Sequence, residues 1–525
     1  MVELKGPGYT SHYYNNIFII IPAIIVVILV GFVAYRLVNS LLSKKRRKEE
    51  KARLKQAKKS EKQQQQQPKQ QASPQANEFQ TYRNALQTAK NVKQRSEQSQ
   101  ISYLNKGQSA WEKRIVKSLN TMCSELNMSL AKQRNETEMR AVKRHWNELG
   151  HICTDLNRFR PVYSAKDFLD VITGLQNPNL KIDETLWNVG LIKVPLVTKT
   201  LLEIKFQYKD ITTYTPQYCS DESILIEDEN VRYATQIIEK KKSSDAHTYS
   251  KRGCPTSLRG KLWCMMLDVN LDNWHLAYFN YLKQNVIEYD LLVDYLYFKD
   301  VKLTAVNDDQ LFVFEDFLYQ VLLLFSRDTS VQACFEHSGC QAPKSFIKKK
   351  LGADECAVVY PPNGIIPFHG FSMLGIAPMC FVYEDPILLY FVFHKLYMTH
   401  FFKLHHVSAD PKGIVGLCVL FECLMRQVSP ELYFHLQNSQ IQPLRIAFKW
   451  IMRAFSGYLA CSQLLALWDR ILAYESLEIV AVLAVAIFIL RKHNVLAVTS
   501  ESAVEAIFSD ISSIKVIPLL QFFLS

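Results

Sequence analysis

The cysteines and histidines of this sequence do not have the spacing of metal-binding motifs. None of its 12 cysteines forms a Cys-x-x-Cys pair. The nearest approach to a cluster, Cys334 and Cys340 with His337 between them, matches no zinc pattern. We therefore predict no metal site. Scattered thiols of this kind are typical of reduced, mostly buried residues in a cytosolic domain.

Glycine and charge are also scarce. The 525 residues include only 17 glycines and 21% are charged, which excludes fibrous and wholly disordered proteins. The glycine-rich phosphate loops GxxxxGK[ST] and GxGxxG are absent, so the chain is not expected to bind a nucleotide or a cofactor itself. Residues 370–374 begin like the nucleophile elbow of hydrolases, but Leu374 stands where the last glycine is needed. We predict no cofactor, no small-molecule substrate and no hydrolase activity of its own.

The net charge of +12 is concentrated in one tract. Residues 36–59 contain eleven Lys or Arg and two Glu, a local charge of +9 that leaves +3 for the rest of the chain. A protein body so close to neutral lacks the basic surface of a nucleic-acid-binding protein, so no nucleic-acid partner is expected. A basic tract beside an apolar segment indicates contact with a membrane surface instead.

The apolar segment comes directly before this tract. Residues 17–35 read IFIIIPAIIVVILVGFVAY and carry no charge over nineteen positions. As a helix this run spans roughly 28 Å, close to the hydrocarbon thickness of a bilayer. We therefore predict a transmembrane helix over residues 17–38. Because the basic block follows it, the positive-inside rule puts residues 1–16 in the lumen or outside the cell and the rest in the cytoplasm. A cytosolic location is expected if the segment is not native to the protein.

Three further regions follow the apolar segment. Residues 39–100 are basic and then rich in glutamine, with QQQQQPKQQ at 63–71. Polar low-complexity sequence cannot bury enough apolar surface to offset its ordering entropy, so we predict a disordered linker. Apolar residues return with helical spacing after it. We predict an N-terminal helical region over residues 101–240 and a second, larger domain over residues 241–525.

The patterns beyond the linker are helical. Apolar residues recur three or four positions apart on one predicted helix face: Trp111, Ile115, Leu119, Met122 and Leu126. Residues 477–490 read LEIVAVLAVAIFIL, which is too short to span a bilayer and predicts a deeply buried helix. No alternation of period two is sustained from Leu225 to the C-terminus. The predicted fold class is all-α and multi-helical.

Three short segments resemble, in order, a known family. They are residues 254–263 (CPTSLRGKLW), 287–290 (IEYD) and 464–472 (LLALWDRIL). Each is weak alone, but together in one all-helical segment they resemble the TBC domain family of Rab GTPase activators. The resemblance covers roughly residues 108–525 and is closer to one member of the family. The positions it marks as structural are Arg259, Trp263, Asp290, Gly370, Trp468 and Asp469.

The resemblance implies a domain that binds a GTP-bound Rab-type GTPase and accelerates hydrolysis with two side chains. An arginine from I-x-x-D-x-x-R stabilises the transferring phosphoryl group, and a glutamine from Y-x-Q-G orients the attacking water. Here the arginine position is Val293, or Tyr297 if the motif begins at Leu291. The second motif aligns with residues 367–370, which places His369 at the glutamine position. Both of the usual catalytic residues are therefore replaced.

Three functions stay open. The chain is a GTPase-activating or GTPase-binding protein for Rab-type GTPases in vesicle traffic, a non-catalytic Rab-binding scaffold, or a membrane adaptor with another partner. If it is an activator, a cation must come from elsewhere, and Arg327 is our candidate. The ordinary explanation for Arg327 is a surface ion pair with Asp328. The expected partners are a GTP-bound Rab-type GTPase and, through residues 17–38, a membrane.

Overall fold

The computed structural model describes residues 103–151, 155–175, 190–194, 196–213, 222–307, 311–338, 341–348 and 355–525. They belong to one compact unit that spans residues 94–525. The predicted transmembrane helix over residues 17–38 and most of the predicted linker over residues 39–100 precede that unit, and both lie outside the described residues. Within the described ranges, every helix is too short or too polar to span a bilayer.

Helices dominate the structure. In chain order they are α1 (103–126), α2 (Glu136–Arg144), α3 (Ala165–Thr173), α4 (Leu201–Gln207), α5 (Lys209–Thr213), α6 (Glu222–Lys240), α7 (Ser243–Ser250), α8 (Arg259–Leu267), α9 (Asn273–Glu288), α10 (Leu292–Asn307), α11 (Glu315–Arg327), α12 (Ala333–Ser338), α13 (Ile376–Met379), α14 (Pro386–Thr399), α15 (Ile414–Val428), α16 (Pro430–Asn438), α17 (Pro443–Met452), α18 (Cys461–Tyr474), α19 (Glu478–Leu490), α20 (Lys492–Leu496), α21 (Glu501–Ile507) and α22 (Val516–Leu524). The prediction of an all-α fold class is confirmed for the described residues.

Two short antiparallel ladders accompany the helices. β1 (Ala131–Gln133) pairs with β2 (Tyr289–Leu291), and β3 (Lys344–Lys348) pairs with β4 (Glu355–Val359). The first ladder joins the chain after α1 to the junction between α9 and α10. This ladder could not be predicted from the sequence, because three-residue strands leave no alternating pattern.

The core is centred on α19, which is apolar all round and buried from Glu478 to Phe488. It packs against α15, α17 and α22. A helix with no polar face has to be enclosed by others, and this is the helix predicted from residues 477–490. The predicted amphipathic face of α1 is also confirmed, since Trp111 and Leu119 are buried.

The N-terminal region packs against the C-terminal half. Helix α3 contacts α17, and Trp111 of α1 stacks on Phe168 of α3 with ring centroids 5.8 Å apart. The buried carboxylate of Glu422 accepts backbone N–H bonds from Leu191 at 2.7 Å and Ile192 at 3.2 Å. Buried polar groups are costly unless they are bonded in this way, so these contacts join the two halves specifically. The predicted domain boundary at residue 240 stays a prediction.

Candidate functional site

Asp469 connects the first family segment (residues 254–263) with the last (residues 464–472) through a buried hydrogen-bond network. Its carboxylate accepts hydrogen bonds from the Trp263 indole nitrogen at 2.8 Å, the Arg259 Nε at 3.1 Å and the Cys254 backbone nitrogen at 3.0 Å. The side chains of Arg259 and Asp469 are 10% and 1% exposed. Trp468, the adjacent residue, is fully buried and packs on Trp263 at 6.4 Å between ring centroids. This network holds α8 against α18, so it supports a structural role for these motif residues.

Asp290 is the middle residue of β2, two positions before α10 begins, and it is paired with a residue from the N-terminal region. Arg134 Nη2 is 2.9 Å from the Asp290 carboxylate. Arg134 Nη1 also donates to the carbonyl oxygens of Val286 and Tyr289, at 2.5 Å and 2.7 Å. Burial raises the pKa of Asp290, as does the neighbouring Asp294 charge, while Arg134 opposes the rise. The sequence offered no signal for this pair, because its partners are 156 positions apart.

Arg327 corrects the sequence-based expectation of a surface ion pair with Asp328. Its side chain is 3% exposed and pairs with Asp294, whose side chain is 2% exposed; the Nη2–Oδ2 distance is 2.7 Å. Asp328 turns away and accepts hydrogen bonds from the hydroxyls of Tyr278 and Tyr390. Because the Arg327 guanidinium is buried against the Asp294 carboxylate, it cannot reach a partner protein in this conformation. The geometry therefore does not favour Arg327 as a substitute cation.

Both candidate positions for the usual arginine are in the protein core. Val293 is 0% exposed, and its backbone N–H donates to the Tyr360 hydroxyl at 3.3 Å. Tyr297, the position in the alternative register, is also 0% exposed. The side chains of both residues therefore pack in the core between α10 and its neighbours. Neither position carries a cation, and neither has the exposure that a catalytic arginine needs.

The turn over residues 367–370 presents His369 at the surface. Asp300 of α10 fixes the turn by accepting the backbone N–H of Gly370 at 2.6 Å and both the N–H and the hydroxyl of Ser372 at 2.7 Å. Gly370 has φ +89°, and a Cβ there would lie 2.2 Å from Nη2 of Arg453. The backbone conformation therefore favours glycine, and a Cβ would in addition displace the flexible end of the Arg453 side chain. The His369 side chain is 49% exposed, with Nδ1 3.8 Å from an Asp300 oxygen.

A narrow cleft runs beside His369 and has a basic lining. Arg160 from the N-terminal region and Lys299 from α10 line it together with Leu303. Arg453 approaches from below the turn and donates to the His369 carbonyl oxygen at 2.6 Å. An imidazole on such a surface can bond a water, but its donor and acceptor are separate ring nitrogens on a shorter side chain, unlike the terminal amide of glutamine. Sequence reasoning did not predict Arg160 and Lys299 as site residues, because both lie outside the three segments that mark the catalytic and structural positions.

The described residues contain no cluster of His, Cys, Asp or Glu that could hold a metal ion. Of the histidines grouped near residue 400, His405 and His406 are buried among aromatic rings, and burial lowers the pKa of His406 to about 4. They are neutral core residues at physiological pH.

Among the site residues predicted from the sequence, Asp290, Val293 and Arg327 lie around the α9–α10 junction, and His369 and Gly370 lie at the turn fixed by α10.

Comparisons with known proteins agree with the motifs. A family model described as the Rab-GTPase-TBC domain matches residues 371–496. The chain is 50% identical over 432 residues to TBC1 domain family member 19 of Homo sapiens, a match that covers 81% of this chain and 82% of that protein. Among solved structures, the Ypt/Rab-GAP domain of Gyp1p aligns with a TM-score of 0.36 and 12% identity, over 62% of this chain and 97% of that chain. A TM-score this low adds nothing to the assignment.

Proposed function

The chain belongs to the TBC (Rab-GAP) domain family, and from this premise we propose that it binds a GTP-bound Rab-type GTPase and accelerates GTP hydrolysis weakly or not at all. The observation that carries the proposal is the burial of both arginine positions. Val293 and Tyr297 are each 0% exposed and uncharged, so neither can place a cation at a bound nucleotide.

The remaining catalytic position supports the same function. His369, which aligns with the glutamine position, combines exposure with a hydrogen-bonding side chain. An arginine supplied to a GTPase is worth about 10³ to 10⁵ in rate, because a fixed cation meets charge that grows only in the transition state. Without that cation, the protein can still bind the GTPase but accelerates its hydrolysis of GTP little. Its main role is then to hold or recruit the GTPase.

Binding and hydrolysis assays test this proposal. The purified full chain, in detergent, is mixed with a panel of Rab-type GTPases loaded with GTP or with a non-hydrolysable analogue. We expect at least one GTPase to bind in its triphosphate form, with single-turnover hydrolysis accelerated by much less than about 10³. Acceleration of that size or more would overturn the proposal of weak catalysis. Binding to none of the panel would instead favour an adaptor with another kind of partner.

The membrane anchor is a second part of the proposal. We propose that residues 17–38 anchor the protein with the TBC domain in the cytoplasm, because an uncharged run of nineteen residues is followed by the basic tract over residues 36–59. The tagged full-length protein should stay in the membrane pellet after washing with carbonate and with high salt. A variant that lacks residues 17–38 should move to the supernatant. Release of the full-length protein by carbonate would contradict the anchor and favour a cytosolic location.

A further inference from the structure

The segment Phe159–Tyr163 lies against the turn that carries His369. The Tyr163 carbonyl oxygen accepts the His369 backbone N–H at 3.0 Å, and the Lys299 ammonium donates to the Phe159 carbonyl oxygen. The Phe159 ring stacks on Tyr295 of α10, with centroids 4.9 Å apart and planes nearly parallel. The segment is therefore held at both ends. It forms one continuous surface with α10 and the turn.

Arg160 projects from the middle of this segment. Its Nη1 donates to the Ser118 hydroxyl at 2.8 Å, which orients the guanidinium along α1 while its side chain stays 44% exposed. The nearest carboxylate, that of Glu125, is 3.6 Å from Nε, beyond a normal hydrogen bond, and is itself 55% exposed. An ion pair this exposed contributes little, so the Arg160 charge is available to a partner.

The other charges of the cleft leave it basic. Lys299 uses one of three ammonium donors on the Phe159 carbonyl oxygen, so two remain. Asp300 is the acidic group that lines the cleft, and its carboxylate is already occupied by three donors from Gly370 and Ser372. The Arg160 and Lys299 side chains and the His369 imidazole therefore line the cleft with one occupied carboxylate among them, while the exposed Glu125 carboxylate is not part of the cleft lining. Carboxylate groups of a partner complement such a surface.

The apolar part of the surface lies on the same face of α10. Leu303 is 38% exposed and lines the cleft, and Val306, one turn further along, is 76% exposed. Residues at positions 299, 303 and 306 follow the spacing of one helix face. An apolar centre with a charged rim is the usual arrangement of a protein–protein interface. Pro161 of the segment also lines the cleft.

We propose that the segment Arg160–Val162 completes the surface that contacts the GTPase, with Arg160 and Lys299 meeting acidic side chains of that partner and Leu303 packing at the centre. The inference rests on the proposed function and adds a partner-binding role for the N-terminal region, which lies outside residues 371–496 matched by the family model. The surface is composite: α10 and the turn alone would lack the guanidinium.

Binding measurements with matched variants test the composite surface. Arg160→Ala and Leu303→Asp are compared with the wild-type full chain by biolayer interferometry, against the GTPase of the panel that binds and in its non-hydrolysable triphosphate form. Each should weaken binding about tenfold, the loss expected for an interface residue that matters. Arg140→Ala is the control, because Arg140 is a more exposed arginine of the same region, 74% exposed on α2. It should change affinity less than about twofold.

Salt provides an independent measurement. Binding of the wild type should weaken as ionic strength rises, and the dependence should be shallower for Arg160→Ala, because one fewer charge is screened. Arg160→Lys keeps the charge and should retain most of the affinity. If a GTPase binds the wild type and both Arg160→Ala and Leu303→Asp bind it equally well, the composite surface is wrong while the proposed function stands. If no GTPase binds the wild type, the proposed function fails and the inference fails with it.

Discussion

Arg134 and Arg327 donate to the same acceptor, the carbonyl oxygen of Tyr289, from which their Nη1 and Nη2 atoms lie 2.7 Å and 2.9 Å away. Each guanidinium also pairs with a carboxylate of the α9–α10 junction, Arg134 with Asp290 and Arg327 with Asp294. One comes from the N-terminal region and the other from the end of α11. The α9–α10 junction, which lies next to the predicted arginine position Val293, is fixed from two sides by structural arginines.

Removing Arg327 should destabilise the protein strongly. Arg327→Ala leaves Asp294 buried without its countercharge, which typically costs about 3–5 kcal/mol. The measurement is urea unfolding followed by circular dichroism, with Arg140→Ala as an exposed-arginine control that should stay within about 0.5 kcal/mol of the wild type. Unchanged stability together with lost acceleration of hydrolysis would instead make Arg327 the substitute cation.

The substitution Val293→Arg should destabilise the fold and should not raise hydrolysis. The Val293 side chain is fully buried, so Val293→Arg introduces an unpaired charge into the core of α10. We expect the variant to unfold at markedly lower temperature or to be insoluble. Val293→Ile, which adds one methylene, is the control and should cost about 1–3 kcal/mol or less. A stable Val293→Arg protein with raised hydrolysis would show that this position faces the GTPase after all.

The Asp469 network should be the most sensitive of the motif positions. Asp469→Ala strands the buried Arg259 guanidinium and leaves the Trp263 indole N–H without its acceptor, for a loss of about 3–5 kcal/mol. Trp263→Ala should cost a similar amount, about 3–5 kcal/mol, through the cavity that it leaves. Because the residues belong to one network, the double variant should lose less than the sum of the two single losses. Strict additivity in a double-mutant cycle would contradict the coupling.

Glu422 should make stability depend on pH. Burial raises its pKa from 4.5 to about 7, although the N–H bonds from Leu191 and Ile192 oppose the rise. A raised folded-state pKa means that the contribution to stability is full below the unfolded value of 4.5 and is lost as pH rises through about 7. The free energy of unfolding should therefore fall between pH 5 and pH 8, and less steeply in Glu422→Gln.

Chemical denaturation at several pH values measures this effect. Glu112, whose pKa burial also raises to about 7, titrates in the same window and stays in the single variant. The double variant Glu112→Gln, Glu422→Gln should therefore have the flattest profile. Identical slopes for the wild type and Glu422→Gln would show that Glu422 stays charged when buried, with Arg426 as the nearby cation that opposes the rise.

Helical periodicity was enough to predict the fold class, because burying one face of a helix leaves a pattern within about ten residues. It predicted the α1 face and the buried α19. Pairings between distant side chains leave no such pattern. Asp328 follows Arg327 directly, yet the guanidinium selects Asp294, 33 positions earlier, because α11 ends there and the chain turns Asp328 toward two tyrosines. The two positions predicted for the catalytic arginine, Val293 and Tyr297, were read from the motif, but their burial depends on how α10 packs.

The connections between the two halves of the chain also constrain its synthesis. Gln108 accepts the Val407 backbone N–H at 2.8 Å although the two residues are 299 positions apart. At about 5–20 residues per second, roughly 15 to 60 seconds pass on the ribosome between these residues. During that time the apolar face of α1 has no C-terminal partner, and exposed apolar surface favours aggregation. Nascent chains of this protein should therefore depend on chaperones that bind apolar segments until the C-terminal helices emerge.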